Sequence, residues 1–307
     1  MLTTVQNPTS TASDLVLDVP QDWPGLWLQL LRARDGAPSP QLTHSPEHGW
    51  AIDGSIGARA SALFGLYKPL LDARARQRGV RSPNPWVVAQ LGQSLDGFVA
   101  TLTGDSYYVN GAHCLLHLHR LRALCDAVLV GAGTVATDNP QLTTRRVPGP
   151  QPVRVVMDPA ARLDGLSRVF RDGQASTLWV CDSRHAAQAR SRLGSSPARA
   201  EVLAVDGLLA TEPTACYHPQ RAVAALAARG LNLLFVEGGG ITVSRFFTAG
   251  ALDRLHLVVA PVLIGNGRRG LQAPAHAVMA DCPRPTVHTL PLGQDMLWDL
   301  ELRSPVA

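Results

Sequence analysis

A carboxylate followed by three glycines, Glu237-Gly238-Gly239-Gly240, comes after the apolar run 231–236 and before a helix-like run, 241–249. Glycine lets backbone approach a ligand closely, and the unpaired N–H groups that open a helix attract anions, so this corner suits phosphate. The same triplet also serves a plain strand-to-helix turn. A second turn of this kind, Gly131-Ala132-Gly133-Thr134, directly follows the apolar run 127–130. Two such turns suggest a dinucleotide laid across the strand ends of one α/β sheet.

Guanidinium groups offer a place for another phosphate. Arg122 lies near the end of a helix-like run, 112–124, and Arg145 follows the turn Asp138-Asn139-Pro140-Gln141-Leu142. Planar forks match phosphate oxygens, so these two arginines and a hydroxyl would clamp a phosphorylated substrate. Arg122 would equally complement the C-terminus of its helix. Arg146, Arg154, Arg268 and Arg269 are further arginines that stand out. The turn Gly104-Asp105-Ser106-Tyr107-Tyr108 presents a hydroxyl and aromatic faces, suited to a sugar and a flat ring or to an ordinary loop. In Ser94-Leu95-Asp96-Gly97 the Asp-Gly pair marks a turn, with Asp96 expected to cap backbone N–H groups. His113 and His117 are one helical turn apart, but Cys114 occupies the position where a zincin motif requires Glu. No metal site is expected, and there is neither a Walker lysine nor a nucleophile elbow.

These groups need a scaffold, and the chain is long enough to supply one. With 307 residues, 46% hydrophobic and 17% charged, it suits one large domain plus an appendage, or two domains. Strand-like runs at 86–92, 127–130, 153–158, 177–181, 201–205, 231–236 and 254–264 alternate with helix-like runs at 112–124, 184–193, 219–228 and 242–249. Two more strand-like runs, near 286–290 and 296–302, close the chain. The pattern argues for an α/β sheet with an antiparallel edge. Residues 1–20 read as disordered, and 79–85, with Pro83 and Pro85, as a boundary. Between them, 23–34 and 61–77 are amphipathic around a Gly- and Pro-rich loop region, with Pro69 expected to interrupt the second run.

The net charge of +4 argues against non-specific nucleic-acid binding, and the dense basic stretch Arg74, Arg76, Arg78 and Arg81 reads as a solvated helix face. Five cysteines without a C-x-x-C pair read as reduced, mostly buried thiols of a cytoplasmic protein. Neither a secretion signal nor a membrane span is indicated.

Ser94-Leu95-Asp96-Gly97, Gly104-Asp105-Ser106, Leu121-Arg122, Gly131-Ala132-Gly133-Thr134-Val135, Asp138-Asn139-Pro140-Gln141-Leu142, Arg154-Val155-Val156-Met157-Asp158, Glu237-Gly238-Gly239-Gly240 and Ala260-Pro261-Val262-Leu263-Ile264-Gly265 occur in this order. Together they resemble the reductase domain of the bacterial riboflavin-biosynthesis deaminase/reductase family over about residues 86 to 302. The resemblance implies a dihydrofolate-reductase-like α/β fold: a nine-stranded mixed, mostly parallel sheet flanked by helices. It also implies NADPH-dependent reduction of the ribosyl side chain of a phosphorylated pyrimidine ribosylamine, in a homodimer.

Carried over by position, the resemblance implies substrate contacts at Ser106, Arg122, Leu142, Arg145 and Glu237, with Glu237 the catalytic candidate. It implies cofactor contacts at Gly92, Tyr108, Thr134, Asp138, Gly239, Gly240, Ile241, Thr242, Val243 and Ser244. Gln90 stands where the bacterial reductases commonly carry Lys, and archaeal and fungal relatives acting on the diamino pyrimidinone carry a side-chain amide. Gln both donates and accepts, which leaves the pyrimidine open between the 2-oxo and 2-amino forms. A reductase of another pyrimidine or a pterin and a catalytically idle nucleotide-binding relative are alternatives, and a Rossmann-type methyltransferase is a third, against which the late position of Glu237–Gly240 counts. Arg184 would meet a cofactor 2′-phosphate, whereas Asp182 would suit a free ribose hydroxyl. Residues 1–85 contain no cysteine and so none of the zinc thiolates of the deaminase half. The expected organisation is a tail at 1–20, a small helical accessory segment at 21–84 and the reductase domain at 85–305.

Overall fold

The computed structural model describes residues 23–78, 80, 84–106, 109–194, 199–210 and 217–303. The tail expected at 1–20, most of the boundary expected at 79–85, Arg81, Tyr107, Tyr108 and Cys216 lie outside the described residues. The chain opens with α1 (Trp23–Asp35), a hairpin of β1 (Leu42–Ser45) and β2 (Gly49–Ile52), and α2 (Ala58–Gln77). Then come β3 (Trp86–Ser94), β4 (Phe98–Thr101), α3 (Ala112–Leu124), β5 (Ala127–Gly131), α4 (Ala132–Asp138), β6 (Val153–Met157), α5 (Arg168–Arg171) and β7 (Thr177–Asp182). The remainder is α6 (Ala186–Leu193), β8 (Ala200–Val205), α7 (Pro219–Ala227), β9 (Leu233–Glu237), α8 (Gly240–Thr248), β10 (Arg254–Ala260), β11 (Gly267–Arg269), β12 (Thr286–Leu292) and β13 (Asp295–Glu301).

Nine strands form one sheet in the order β12-β13-β10-β3-β9-β5-β6-β7-β8. From β10 to β8 every pair is parallel, and β13 and β12 add the antiparallel edge. The expected nine-stranded mixed sheet is therefore present. Its central strands are continuous apolar runs because both faces are covered. On one face α3 and α6 pack with α1 and α2 in a single core, and on the other lie α7 and α8. The short elements β4 and β11, which pair with each other, carry too few residues for a readable period.

Two sequence expectations are corrected. Helix α2 runs unbroken through Pro69, because Leu66, Tyr67, Leu70 and Leu71 around it are buried. Their packing outweighs a proline penalty on the order of 3 kcal/mol. Nor is the basic stretch only a solvated face: Arg76 is exposed as expected, but Arg74 and Arg78 also reach backbone oxygens. Arg74 Nη2 donates to Leu124 O at 3.2 Å and to Asp126 at 2.5 Å, and Arg78 Nη2 donates to Ala33 O at 2.9 Å. They close the carbonyl ends of α3 and α1, where cations also oppose the helix dipole.

Register places His288, Asp299, His256, Gln90 and Glu237 in one transverse row across β12, β13, β10, β3 and β9. Paired residues of adjacent strands share a face. Inside the row His117 Nδ1 lies 2.8 Å from the Tyr67 hydroxyl, and its Nε2 lies 3.0 Å from His256 Nδ1. His256 Nε2 is 3.3 Å from Asp299, which accepts Arg254 Nε and Nη2 at 2.5 and 2.8 Å. Burial pushes the His117 ring well below its ordinary value, so it is neutral. Burial alone would raise the Asp299 carboxyl, but His256 and Arg254 together hold it well below the usual carboxylate range.

Replacing Asp299 with Ala leaves the Arg254 charge buried without its partner, and urea denaturation is expected to register a loss of about 3–5 kcal/mol. The folded carboxyl titrates below its unfolded value of about 3.9, so its contribution is present above about pH 4 and lost as pH falls. The variant's stability should therefore change less than the wild type's between pH 5 and pH 2.

Candidate active site

In an open α/β sheet, ligands bind outside the carboxyl ends of the strands. There the adjacent strands β3, β9 and β5 bring together Gln90, Glu237 and Gly131. Gln90 and Glu237 are register partners. The Gln90 side chain is buried, with Nε2 3.4 Å from Cys114 Sγ on α3. Burial, then Asp295 and Glu237, push that thiol far up, so it is a neutral S–H.

Arg122 grips Glu237 with both arms of its fork, Nε to Oε2 at 2.8 Å and Nη2 to Oε1 at 2.5 Å. Its Nη1 donates to Thr143 O at 2.9 Å. The two side chains are 7% and 16% exposed. A fork expected to face a substrate phosphate is thus turned on protein oxygens, and it orients the carboxylate. Arg145 is the exposed guanidinium of the pair.

The Arg145 loop is built from strained and shared contacts. Asn139 and Leu142 have φ of 41° and 56°, left-handed values that cost an L residue on the order of 1–2 kcal/mol. Leu142 is buried, and the bend directs Thr143 O to Arg122. Arg145 N then donates to His119 Nδ1 at 3.0 Å, with Arg146 N at 3.4 Å. Burial, followed by Arg122, Arg145 and Arg146, pushes His119 down to about 3, so the ring stays a neutral acceptor. Burial and then Arg122 also lower Arg145, with Glu237 acting in the opposite sense. Cations that face one another this closely favour an anion between them.

The glycine turns meet beside this loop. Helix α8 starts at Gly240 behind the N-cap Gly239, and α4 starts behind the N-cap Gly131; neither N-cap has a side-chain bond. Their parent strands β9 and β5 are neighbours. Gly131 permits the approach, since a Cβ there would lie 2.4 Å from Thr242 Oγ1. Beside Gly238 and Gly239 the nearest atom to a Cβ would be the Thr134 hydroxyl, at 3.7 and 3.9 Å. Gly240 packs on Arg269 O and Gly270 O, so the room lies beside Gly238 and Gly239, next to the Thr134 hydroxyl and the start of α8, where an anion such as a dinucleotide diphosphate would fit.

The other expected contacts divide. Asp138 is exposed at the end of α4, its carboxyl raised by partial burial against the pull of Arg268. Gly92 makes room for Asn110, whose Oδ1 would lie 1.7 Å from a Cβ there. Ile241 is exposed and Thr242 faces Gly131, whereas Val243 is in the core and Ser244 Oγ accepts Gln272 N at 2.8 Å. The last two side chains face away from the cleft. Ser106 is exposed between β4 and α3, and Tyr108 lies outside the described residues. Asp96 is the backbone cap expected of it, accepting Ile264 N at 3.1 Å and Gly265 N at 2.6 Å, with Ser94 drawing it down to about 2. Arg154 is fully buried on Thr177, Asp172, Ala175 and Gln141 and serves the core.

Asn110 was not read from the sequence, and His119, read with His113 and His117 as histidines flanking a half-buried helix, was not assigned to the site. The signal for His119 was its spacing, three residues before Arg122 on one helix face. Among the described residues, no group of three or more His, Cys, Asp or Glu is placed to share a metal ion, and no helix is long and apolar enough to cross a membrane.

The family model described as "RibD C-terminal domain" matches residues 85–287. The riboflavin biosynthesis protein RibD of Bacillus amyloliquefaciens is 35% identical over 61% of this chain and 48% of its own length, so the chain spans about half of it. The 2,5-diamino-6-ribosylamino-4(3H)-pyrimidinone 5′-phosphate reductase of Methanothermobacter thermautotrophicus is 31% identical over 69% of this chain and 96% of its own. Among solved structures, the deaminase/reductase of Thermotoga maritima shares the fold with a TM-score of 0.59 at 23% identity, over 81% of this chain and 64% of that one. With more than half of its residues matched to the family model, the chain belongs to the RibD C-terminal domain family.

Proposed function

We propose that the chain is a riboflavin-biosynthesis reductase that converts the ribosyl side chain of a ribosylaminopyrimidine 5′-phosphate to ribityl, with NADPH as its cofactor. The observation that carries this reading is the convergence of the Gln90–Glu237 pair, the Arg145 loop and two open helix starts on one set of strand ends. When bound, a reduced nicotinamide supplies hydride to C1 of the imine form of the ribosylamine, while the adjacent nitrogen gains a proton. Glu237, held by Arg122, accepts hydrogen bonds from the pyrimidine, and Gln90 reads the ring edge beside it. Ser106 and Arg145, both exposed, hold the substrate phosphate, and the buried Leu142 shapes the loop that presents Arg145. Gly239, Gly240, Ile241 and Thr242, with Thr134, Asp138 and Gly92, would hold the cofactor. Orientation of this kind removes on the order of 7 kcal/mol of barrier in favourable cases.

The substrate of the first reading is 5-amino-6-(5-phosphoribosylamino)uracil. Gln90 favours a second, the 2,5-diamino pyrimidinone, because its amide both donates and accepts. The Methanothermobacter relative, named for that substrate and matched over nearly its whole length, supports the second reading. NADPH is favoured over NADH by the state of β7's end: Asp182 accepts Arg184 Nε at 2.7 Å and Leu209 N at 2.8 Å, which leaves it poorly available to a ribose hydroxyl. Arg184 donates Nε and Nη2 to Asp182 and Nη2 to Leu209 O, and with its side chain 56% exposed it still offers N–H groups to a 2′-phosphate. Buried thiols at Cys114, Cys125 and Cys181 suit the cytoplasm. An exposed apolar patch of Val287, Met296 and Trp298 on the β12–β13 face suits a second copy and supports a homodimer.

NADPH oxidation with the uracil and diamino ribosylaminopyrimidine phosphates, assayed side by side, tests the activity and separates the two substrates; failure with both would overturn the reading. Arg145→Ala is expected to raise the substrate KM about 30- to 100-fold, the loss of a charge-assisted bond, with NADPH affinity nearly unchanged. Arg184→Ala should raise the KM for NADPH about tenfold and leave that for NADH in place, as steady-state assays with each cofactor would show. In sedimentation velocity, Trp298→Glu should convert the dimer to monomer.

A further inference from the structure

We propose that Trp27, in the N-terminal helical segment, is a positioning residue for the phosphate-binding loop: its indole N–H ties down the far end of residues 143–149 so that Arg145 faces the cleft. The inference rests on the reading of Arg145 as a substrate-phosphate ligand.

Residues 143–151 form neither strand nor helix, yet both ends of this loop are held. At the near end Arg122 donates to Thr143 O and His119 accepts the Arg145 and Arg146 amides. Gln151 closes the neck, accepting Thr144 N and donating to Thr144 O, both at 2.7 Å. The far end is held by the N-terminal segment. Trp27 Nε1 donates to Pro148 O at 2.9 Å, and Gly149 lies between Ala123 of α3 and Leu31 of α1. A Cβ on Gly149 would come within 2.6 Å of Ala123 Cβ and 3.5 Å of Leu31 Cδ2.

Helix α1 is itself fixed on α3. Arg120 lies over the Trp23 and Trp27 rings at 4.8 and 6.0 Å, and Arg34 Nε donates to Leu124 O at 3.2 Å. Trp27 is buried, so its N–H is aimed at one acceptor and is not available to solvent. The tie has a force to oppose. Arg145 stands near Arg146 and Arg168 and near Arg122, whose charge Glu237 offsets, so the repulsion that remains among the exposed cations opposes a fixed loop. Holding it in place before the phosphate arrives removes an ordering cost from binding. Residues that precede the matched family region therefore complete the site.

Trp27→Phe keeps a ring in the core and removes the donor. Gly149→Ala loosens the same end of the loop from its own side, by forcing it away from Ala123 of α3 and Leu31 of α1 while leaving the Trp27 donor in place. The readouts are deuterium exchange of the 143–149 amides, and calorimetric affinities for ribose 5-phosphate and for NADPH. Both variants are expected to exchange the loop amides about tenfold faster and to bind ribose 5-phosphate about 5- to 10-fold more weakly, with β5 exchange and NADPH affinity unchanged. Wild-type loop exchange and phosphate affinity in a folded Trp27→Phe protein, or an equal loss of NADPH binding, would overturn the proposal. If the wild type reduces neither pyrimidine phosphate while Trp27→Phe still frees the loop, the reductase reading fails and the positioning role stands. If the wild type turns over and the variants change neither readout, the positioning role alone fails.

Discussion

A guanidinium buried between a helix and a sheet needs a carboxylate beside it and carbonyl oxygen for its remaining N–H groups. Arg122 meets that demand with Glu237 and Thr143, and in doing so joins α3, the end of β9 and the Arg145 loop at one point. Buried pairs of this kind add little net stability, because desolvation offsets most of the attraction. What they fix is direction. Glu237 is held at one angle next to Gln90, and the loop after Leu142 starts from one place. Helix α3 is positioned in turn by the Tyr67–His117–His256 chain, so the site inherits its geometry from the core beneath it.

Arginines with the same appearance in the sequence have different tasks here, and burial sorts them. Arg154 bonds to four different residues inside the sheet, Arg254 answers Asp299, and Arg74 and Arg78 close helix ends. Arg145 has its backbone amide engaged by His119, and its side chain faces outward. The clue for Arg154 was its place in a Val-rich strand covered on both faces, where a charge is admitted only with partners. Apolar runs and turn glycines are local signals, which is why the strand–helix alternation, the Glu237 corner and the Gly131 turn were legible. The His117–His256 contact spans 139 residues of chain, and no local pattern encodes it. Strand register makes it, as it makes the Gln90–Glu237 pairing. The continuity of α2 at Pro69 was hidden for the same reason: the packing that overrides the proline is tertiary.

The polarity of the fold explains why this end of the sheet, and not the other, suits anions. Each helix that follows a parallel strand begins at the strand's carboxyl end, so α4 and α8 direct their positive ends toward the cleft. Neither is capped by a side chain. At the opposite end of the sheet α3 presents its carbonyl terminus, and Arg74 neutralises it; α1 ends against Arg78 in the same manner. Arg74 and Arg78 thus satisfy two helix ends that face away from the cleft, while α4 and α8, which face it, carry no side-chain cap. Open N–H groups in water gain nothing from such an arrangement, since solvent would bond them equally well. They would favour an anion that displaced that solvent, and His119 adds no charge against the loop by remaining neutral among three arginines. A protonated ring there would lose the acceptor that holds the Arg145 and Arg146 amides and would add a charge to an already repulsive group. Burial of that imidazole therefore keeps the Arg145 and Arg146 amides anchored on α3 across the physiological pH range.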